Sequence, residues 1–400
     1  MTNFNIDRRS MFIAGAAAGA LSGTSARAAA PAGNASARGY DGMYQRLPDV
    51  DIESRGDFLL GMSNNNNGGN LSDATRERAK VILADNGIKW DETADYDKSI
   101  KLLADDPVIA SYAMSRSTHQ RLKYRLLQRE FHSKADQYLS MMEATDKKGP
   151  RPVELNPTMA MPDYTRSEIH TQPGGYVGDP FAGFMYRYGT DWGVLNGRNY
   201  QDGAHMAQAA GVAVPEDKKV RRILDLGTSI GQLATSMKKR FPEAEVWGID
   251  VGGPMVRFAH MKAVTQGSEV SFAQRLAEDT KFPDGHFDII TANILFHEVT
   301  GEAAGQIVAE TSRILRKGGL FYPIDFYTAA PAPRTAWQHF QAFWNHRWNN
   351  EDWMLEYARF DMEGSMKKSG LKVLRNGNGR GAGGATQPMS AGGNMYGVKA

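Results

Sequence analysis

The chain has 400 residues, with 47 Lys and Arg against 45 Asp and Glu and a formal net charge of +2 at pH 7. That near balance excludes the broad basic footprint of a dedicated nucleic-acid binder, and the absence of cysteine excludes disulfides and cysteine-ligated metals. An apolar share of 41% is enough for one large or two modest domains with a core.

The first element is a targeting pattern. Asp7-Arg8-Arg9-Ser10-Met11-Phe12-Ile13 precedes an alanine-rich run to Leu21, and Ala26-Arg27-Ala28 and Ala28-Ala29-Ala30 are small-x-small cleavage sites. Residues 1–30 therefore read as a twin-arginine signal peptide, too short and weakly apolar for a stable membrane span. It implies the twin-arginine export machinery as a partner and a periplasmic location.

Residues 31–71 are rich in Gly, Asn and Ala, with Asn64 to Asn67 followed by Gly68-Gly69. This composition predicts a linker or extended arm. Residues 72–215 read as a helical, covering region. Ser72 is the expected N-cap of a helix to about Asp85, stopped by Gly87. Pro107 opens a longer helix through Leu122, Leu126, Phe131 and Leu139, ending before Gly149-Pro150. Its Arg116, Arg121, Lys123, Arg125 and Arg129 read as a solvated face rather than a docking site for an acidic partner. From His170 to Tyr188, glycines, prolines and aromatics are dense, as in loops that combine tight turns with flat side chains around a ligand. Tyr176, Tyr186 and Tyr188 are expected either to close a pocket, as substrate-binding residues, or to anchor the helices on the C-terminal domain.

Residues 216–400 carry the chemistry. Ile223-Leu-Asp-Leu-Gly-Thr-Ser-Ile-Gly231 is an apolar strand ending in an acid and a glycine turn, and a second apolar run ends at Asp250. Gly227 permits the sharp turn and Gly231 the close approach of a helix. Asp250 stands where nucleotide-binding α/β folds place the carboxylate for ribose hydroxyls. A dinucleotide loop would need glycines at the positions of Ser229 and Gln232, which disfavours a nicotinamide-dependent oxidoreductase.

Further along come Val246-Trp-Gly-Ile-Asp250, Ala277-Glu-Asp-Thr-Lys-Phe-Pro-Asp-Gly-His-Phe-Asp288, Phe287-Asp-Ile-Ile-Thr-Ala-Asn-Ile-Leu-Phe-His-Glu298 and Ile314-Leu-Arg-Lys-Gly-Gly-Leu-Phe321. In order and spacing, Arg222 to Asp325 resembles the class I S-adenosylmethionine-dependent methyltransferases, in particular the small-molecule, quinone-biosynthesis-like group. The resemblance implies an α/β fold with a Rossmann-like seven-stranded sheet whose last strand is antiparallel, preceded here by the helical region. It implies S-adenosyl-L-methionine as cofactor. Asp225, Gly227, Thr228, Ser229 and Gly231 would hold its methionine part, Asp250 its ribose and Val251 its adenine, with Ala277, Glu278 and Asn293 completing the set. Leu276 departs from the family's frequent Asp for the adenine amino group, so Glu278 or Asp279 inherits that role.

Since the cofactor is made in the cytoplasm, the resemblance also keeps a cytoplasmic location open. His297 is the expected general base, with His170, His339 and His346 behind it. The aromatic run Trp337, Phe340, Phe343, Trp344, Trp348, Trp353 and Tyr357 falls where the family builds its acceptor wall, so Trp337, Phe340 and Trp344 are expected to bind a small aromatic or apolar acceptor. Leu371 to Arg375 and Met395 to Lys399 read as the sixth and seventh strands, joined by a glycine-rich hairpin connection, with the last at the edge. The implied activity is methyl transfer without a metal; the alternative is a noncatalytic cofactor-binding or partner-binding protein.

Overall fold

The computed structural model describes residues 40–41, 44–45, 50–66, 69–193, 205–325, 334–376 and 394–400. The chain divides into two units, Met1–Asp49 and Val50–Ala400. In the first, β1 (Tyr40–Asp41) pairs antiparallel with β2 (Tyr44–Gln45). The expected signal peptide lies outside the described residues.

The second unit opens with helices: α1 (Val50–Asn66), α2 (Asn70–Asp85), α3 (Tyr96–Leu103), α4 (Pro107–Ser133), α5 (Ala135–Glu143), α6 (Ala182–Gly193) and α7 (His205–Gly211). Here α1 corrects the expected linker. Its apolar content is low, but Leu59, Ser63 and Asn66 are buried, and Ser115 of α4 donates to Asn66 at 2.8 Å. Tertiary packing on a sparse, small-residue face stabilises this helix where composition predicted none.

The α2 N-cap is Gly69, and Ser72 is a buried residue of the first turn; the stop is as expected, with Gly87 at φ +70°. The long helix is two. Asp106 caps α4 by accepting from the Val108 and Ile109 amides, and Lys134, at φ −125° and ψ 35°, breaks it from α5. The expected solvated face of α4 also needs correcting. Arg121, Arg125 and Arg129 are exposed, but Lys123 is 2% exposed and its ammonium lies 4.1 Å from the Tyr124 ring centroid.

The α/β part comes next as β3 (Arg222–Leu226), α8 (Gln232–Arg240), β4 (Glu245–Asp250), α9 (Gly253–Thr265), β5 (Val270–Gln274), β6 (Phe287–Asn293), α10 (Gly301–Ile314), β7 (Leu315–Ile324), α11 (Ala336–Trp348), α12 (Met354–Tyr357), α13 (Met362–Lys368), β8 (Leu371–Asn376) and β9 (Asn394–Lys399). The sheet order is β5-β4-β3-β6-β7-β9-β8. Neighbours from β5 to β7 are parallel, while β9 is antiparallel to both β7 and β8.

Near-continuous apolar strands such as β3 and β6 suit a sheet covered on both faces. On one face Phe296, Ile307, Val308 and Met366 pack against it; on the other, Leu233, Met237, Val256 and Ala259 do.

The last strand is antiparallel as expected, but it lies inside the sheet and β8 forms the edge. Asn376 and Asn394 are paired in register; the glycine-rich connection between them, residues 377–393, lies outside the described residues.

Candidate active site

The strand order reverses between β3 and β6, which places a crevice at their carboxyl ends. Asp225 near the end of β3, Asp250 ending β4 and Asn293 ending β6 all line one cleft there. With its mouth and the open solvent there included, the cleft spans ≈ 1180 Å³.

The loop after β3 alternates into left-handed backbone: Gly227 at φ +59°, Ser229 at +51° and Gly231 at +75°. A Cβ on Gly227 would stand 2.8 Å from Leu295 Cδ1, and one on Gly231 2.7 Å from Phe272 Cζ. Ser229 thus keeps the backbone a glycine would favour, at a cost of ~1–2 kcal/mol for an L-residue. Its conformation is held by Asp250, whose two carboxylate oxygens accept from the Ser229 amide at 2.9 Å and the Gly252 amide at 2.8 Å. The second acid therefore pins the first loop.

Asp225 is buried and accepts from the Thr228 and Thr291 hydroxyls, each at 2.7 Å. Burial nevertheless pushes its pKa up to about 6, against the pull of those hydroxyls. Burial also raises Asp250, opposed by the Gly252 and Ser229 amides. Two carboxyls with raised pKa at a strand-end crevice, one buried and one half-buried, suit a ligand that brings hydrogen-bond donors or positive charge.

The predicted cofactor residues Asp225, Gly227, Thr228, Ser229, Asp250, Val251, Ala277 and Asn293 all line the cleft. Gly231 caps α8 directly behind the loop. Glu278 stands one layer back and accepts from the Tyr164 hydroxyl at 2.7 Å, so Tyr164 presents itself to the cleft in its place; Asp279 is exposed and pairs with Lys281. Asn293 is oriented by Gln208, which donates to it at 3.0 Å, and by His205 at 3.3 Å.

The fit to a polar nucleoside-type cofactor rests on one further atom. The buried Gln232 amide nitrogen has no hydrogen-bond partner among the described residues, although Gln232 lines the cleft. A donor left unpaired there costs ~1–3 kcal/mol until a ligand or water accepts from it.

The other end of the cleft holds Ile169, His170, Tyr176, Tyr186, Glu298 and Val299. Burial raises the Tyr186 pKa to about 12, with Ser229 beside it pulling the other way. Tyr188 does not line the cleft; it packs on Phe131 of α4 with ring centroids 5.6 Å apart, a contact within the helical region.

His297 is not placed as a base. It is 1% exposed, its Nδ1 lies 2.7 Å from Asp325 and its Nε2 3.5 Å from Glu298. Burial alone would depress it, but the Asp325 and Glu298 charges hold its pKa well above the ordinary value. An imidazolium clamped by two carboxylates has no lone pair to offer, so the expected role is corrected. Asp325 also accepts from the Phe296 and His297 amides, and the clamp fixes the turn that carries Glu298 into the cleft. Burial would raise Glu298, but His297 and His170 outweigh it and hold its pKa at about 2.

The expected acceptor wall is corrected too. Trp337 and Phe340 pack with Ala79, Leu83, Ile109 and Tyr112 of the helical region, and Trp344 donates to the Ala113 carbonyl at 3.2 Å with Arg116 over its ring at 4.0 Å. Their helical spacing reports α11 docking on α2 to α4. His339 bonds the Ala94 carbonyl and His346 the Asp352 carbonyl, away from the cleft; only His170 of the alternatives lines it.

Sequence reasoning missed Glu298, Asp325 and Glu351. Asp325 had a legible signal, since it comes directly after β7 as Asp250 ends β4. Glu351 had none. Among the described residues, no group of three or more His, Asp or Glu could hold a metal ion, and no helix is long and apolar enough to cross a membrane.

Residues 223–319 match the family described as "Methyltransferase domain". A demethylmenaquinone methyltransferase of Thermus thermophilus is 38% identical over 120 residues, 30% of this chain and 52% of the relative. A ubiquinone/menaquinone biosynthesis C-methyltransferase of Cupriavidus necator is 25% identical over 149 residues, 37% of this chain and 60% of the relative. A putative methyltransferase structure from Bacillus halodurans is 24% identical with a TM-score of 0.35, covering 43% of this chain and 71% of that one. The chain thus spans about half the length of the first of these relatives.

Proposed function

We propose that this chain, whose residues 223–319 form a class I methyltransferase domain, binds S-adenosylmethionine in the cleft and methylates a small molecule there. The observation that carries this reading is the convergence of Asp225, the left-handed 227–231 loop and Asp250 on one crevice. Bound, the cofactor supplies an electrophilic sulfonium methyl. Asp225 would hold its ammonium end, Asp250 its ribose hydroxyls and the Val251 and Ala277 side chains its adenine, while Gln232 would donate its free N–H to the ligand.

The protein's own contribution is alignment and exclusion of water. Orientation of this kind is worth ~7–11 kcal/mol, and it is supplied by the cover of Ile169, Tyr176 and Tyr186 over the strand ends. Glu298 lines the cleft as a carboxylate that can accept a hydrogen bond from the acceptor, while its pKa of about 2 makes it a weak base. The apolar surface of Ile169, Val177, Leu295 and Val299 supports a flat, apolar acceptor, in keeping with the quinone-type substrates named for the relatives. The arginine pair Arg8-Arg9 and the run behind it support export of the folded chain by the twin-arginine route.

The test is incubation of the purified chain with methyl-labelled S-adenosylmethionine and extracts of both compartments. The expected result is one labelled small molecule, lost in Asp250→Ala. Tight cofactor binding with no labelled product would favour the noncatalytic alternative, and binding of a nicotinamide cofactor instead would overturn the reading. Fractionation of the host places the chain in the periplasm if the export reading holds, and in the cytoplasm if it does not.

A further inference from the structure

Behind His170 runs a buried chain of polar groups that the proposed reaction does not use. Lys123 of α4 donates to Gln120 Oε1. Gln120 Nε2 donates to Asn349 Oδ1 at 3.1 Å. Asn349 Nδ2 then meets His170 Nδ1 at 2.8 Å and Glu351 Oε1 at 2.7 Å. On the cleft side, His170 Nε2 lies 3.6 Å from Glu298 Oε1. Lys123, Gln120, Asn349 and Glu351 are each no more than 8% exposed, and His170 itself sits in left-handed backbone at φ +57°. Strain of that kind in a cleft residue is kept by its surroundings.

Donor and acceptor chemistry sets the direction of this relay. Burial lowers the Lys123 pKa to about 7; in its ammonium form it only donates, so the Gln120 oxygen faces it and the Gln120 N–H₂ faces Asn349, as their contacts place them. That turns the Asn349 oxygen towards Gln120 and its N–H₂ towards His170 and Glu351. His170 Nδ1 is then an acceptor, and a neutral His170 carries its proton on Nε2, the nitrogen facing Glu298.

We propose that Lys123, acting through Gln120 and Asn349, is a positioning residue that fixes His170 as the Nε2–H tautomer, so that His170 and Glu298 together form a subsite for an acceptor hydroxyl. At 3.6 Å the two atoms pair only loosely. One oxygen at ~2.8 Å from both would accept from His170 and donate to Glu298, which uses both faces of a hydroxyl. An ether or a hydrocarbon at that point offers the carboxylate no donor beyond His297 at 3.5 Å. The inference rests on the proposed function for the identity of the cleft and adds the chemical group that the acceptor presents. Glu351, 3.3 Å from His170 Nδ1, competes with the relay, because an ionised Glu351 favours a proton on Nδ1. The proton position is thus decided between Lys123 and Glu351, with Glu298, His297 and Tyr176 the other titratable groups around the ring.

The test uses nitrogen-15 NMR of histidine-labelled full chain, near pH 7, saturated with S-adenosylhomocysteine, with His170 assigned by loss of its signals in His170→Gln. The expected result is that the neutral form of His170 is the Nε2–H tautomer. Gln120→Glu is the informative variant. Its carboxylate only accepts, so it draws the Asn349 N–H₂ away from His170 against the pull of Glu351 on the same nitrogen; the turned Asn349 presents its oxygen to His170 and moves the proton to Nδ1. The replacement is isosteric and gives Lys123 a counter-charge, so it preserves the fold; Lys123→Met removes the polarity and is expected to give a mixture. Phenol titrated into the wild-type complex should shift the His170 Nε2–H signal saturably, and in Gln120→Glu it should not. A wild-type Nδ1–H tautomer, an unmoved tautomer in Gln120→Glu, or no phenol shift overturns the proposal. Failure of S-adenosylhomocysteine to bind, read by calorimetry on the same samples, overturns the cofactor reading instead.

Discussion

Replacing Asp225 with asparagine separates what this acid does for the fold from what it does for a ligand. In the cofactor-free chain its pKa rises from 3.8 to about 6 because burial disfavours the charge. At ~1.36 kcal/mol for each tenfold step in the proton equilibrium, that is roughly 3 kcal/mol held against the ionised, folded chain. Proton counting gives the sign. Between 3.8 and about 6 the folded chain keeps a proton that the unfolded chain has released, so this group's contribution to stability falls as pH rises through that window and stays low above it.

Asparagine retains an acceptor for one threonine hydroxyl, and the other hydroxyl rotates to accept from the new amide. Urea unfolding of the cofactor-free Asp225→Asn chain should therefore show a gain of roughly 2–3 kcal/mol near pH 7.5 and almost none near pH 4. Calorimetry with S-adenosylmethionine should show at least a roughly tenfold loss of affinity, about 1.4 kcal/mol, from the missing charge-assisted bond. Equal stability changes at both pH values, or a variant less stable at neutral pH, would refute the burial argument.

The same geometry predicts other outcomes. Ser229→Gly removes an L-residue from φ +51°; the relief of ~1–2 kcal/mol less ~0.5–1 for glycine's unfolded freedom leaves a net gain on the order of 0.5–1 kcal/mol, visible in thermal unfolding. A lower melting temperature would show that the Ser229 side chain matters more than its backbone. His297→Gln breaks a buried clamp and should cost ~3–5 kcal/mol in urea at neutral pH. Because the folded pKa of His297 is raised, its contribution is complete below the ordinary histidine value and is lost as pH climbs through the raised one, so the penalty should shrink in alkaline buffer. Tyr186→Phe should weaken cofactor affinity measurably, whereas Tyr188→Phe should leave it unchanged, since only the first lines the cleft. Truncation after Arg375 removes β9 from between β7 and β8 and should give insoluble chain; a folded product would show that the sheet tolerates an open seam.

Much of the cofactor half of the cleft was legible in the order of residues, because its parts are local. A strand, a glycine turn and a helix start fix their own geometry within a few residues, and strand-terminal acids reach a common edge once the strands are parallel. Asp225, the 227–231 loop, Asp250 and Asn293 could all be read this way. The other end of the cleft could not. Glu298 and His170, and the buried Glu351 and Lys123 behind them, come from four segments whose meeting depends on how the helical region lies over the strand ends, and nothing in their spacing encodes it.

The same limit explains the errors. A helical stripe such as Trp337, Phe340 and Trp344 states that one face is buried and says nothing of what buries it; here it is α2 to α4 rather than a ligand. The histidine after β6 read as a base because the carboxylate that clamps it, Asp325, lies 28 residues away in sequence. Lys123 looked solvated because charge predicts exposure, yet tertiary packing buried it and gave it an amide to donate to. The sequence by itself thus determined the sheet and its ligand-facing turns, through local backbone chemistry. Only the tertiary structure decided which side chains share the cleft and in which protonation state, because burial and long-range neighbours set both.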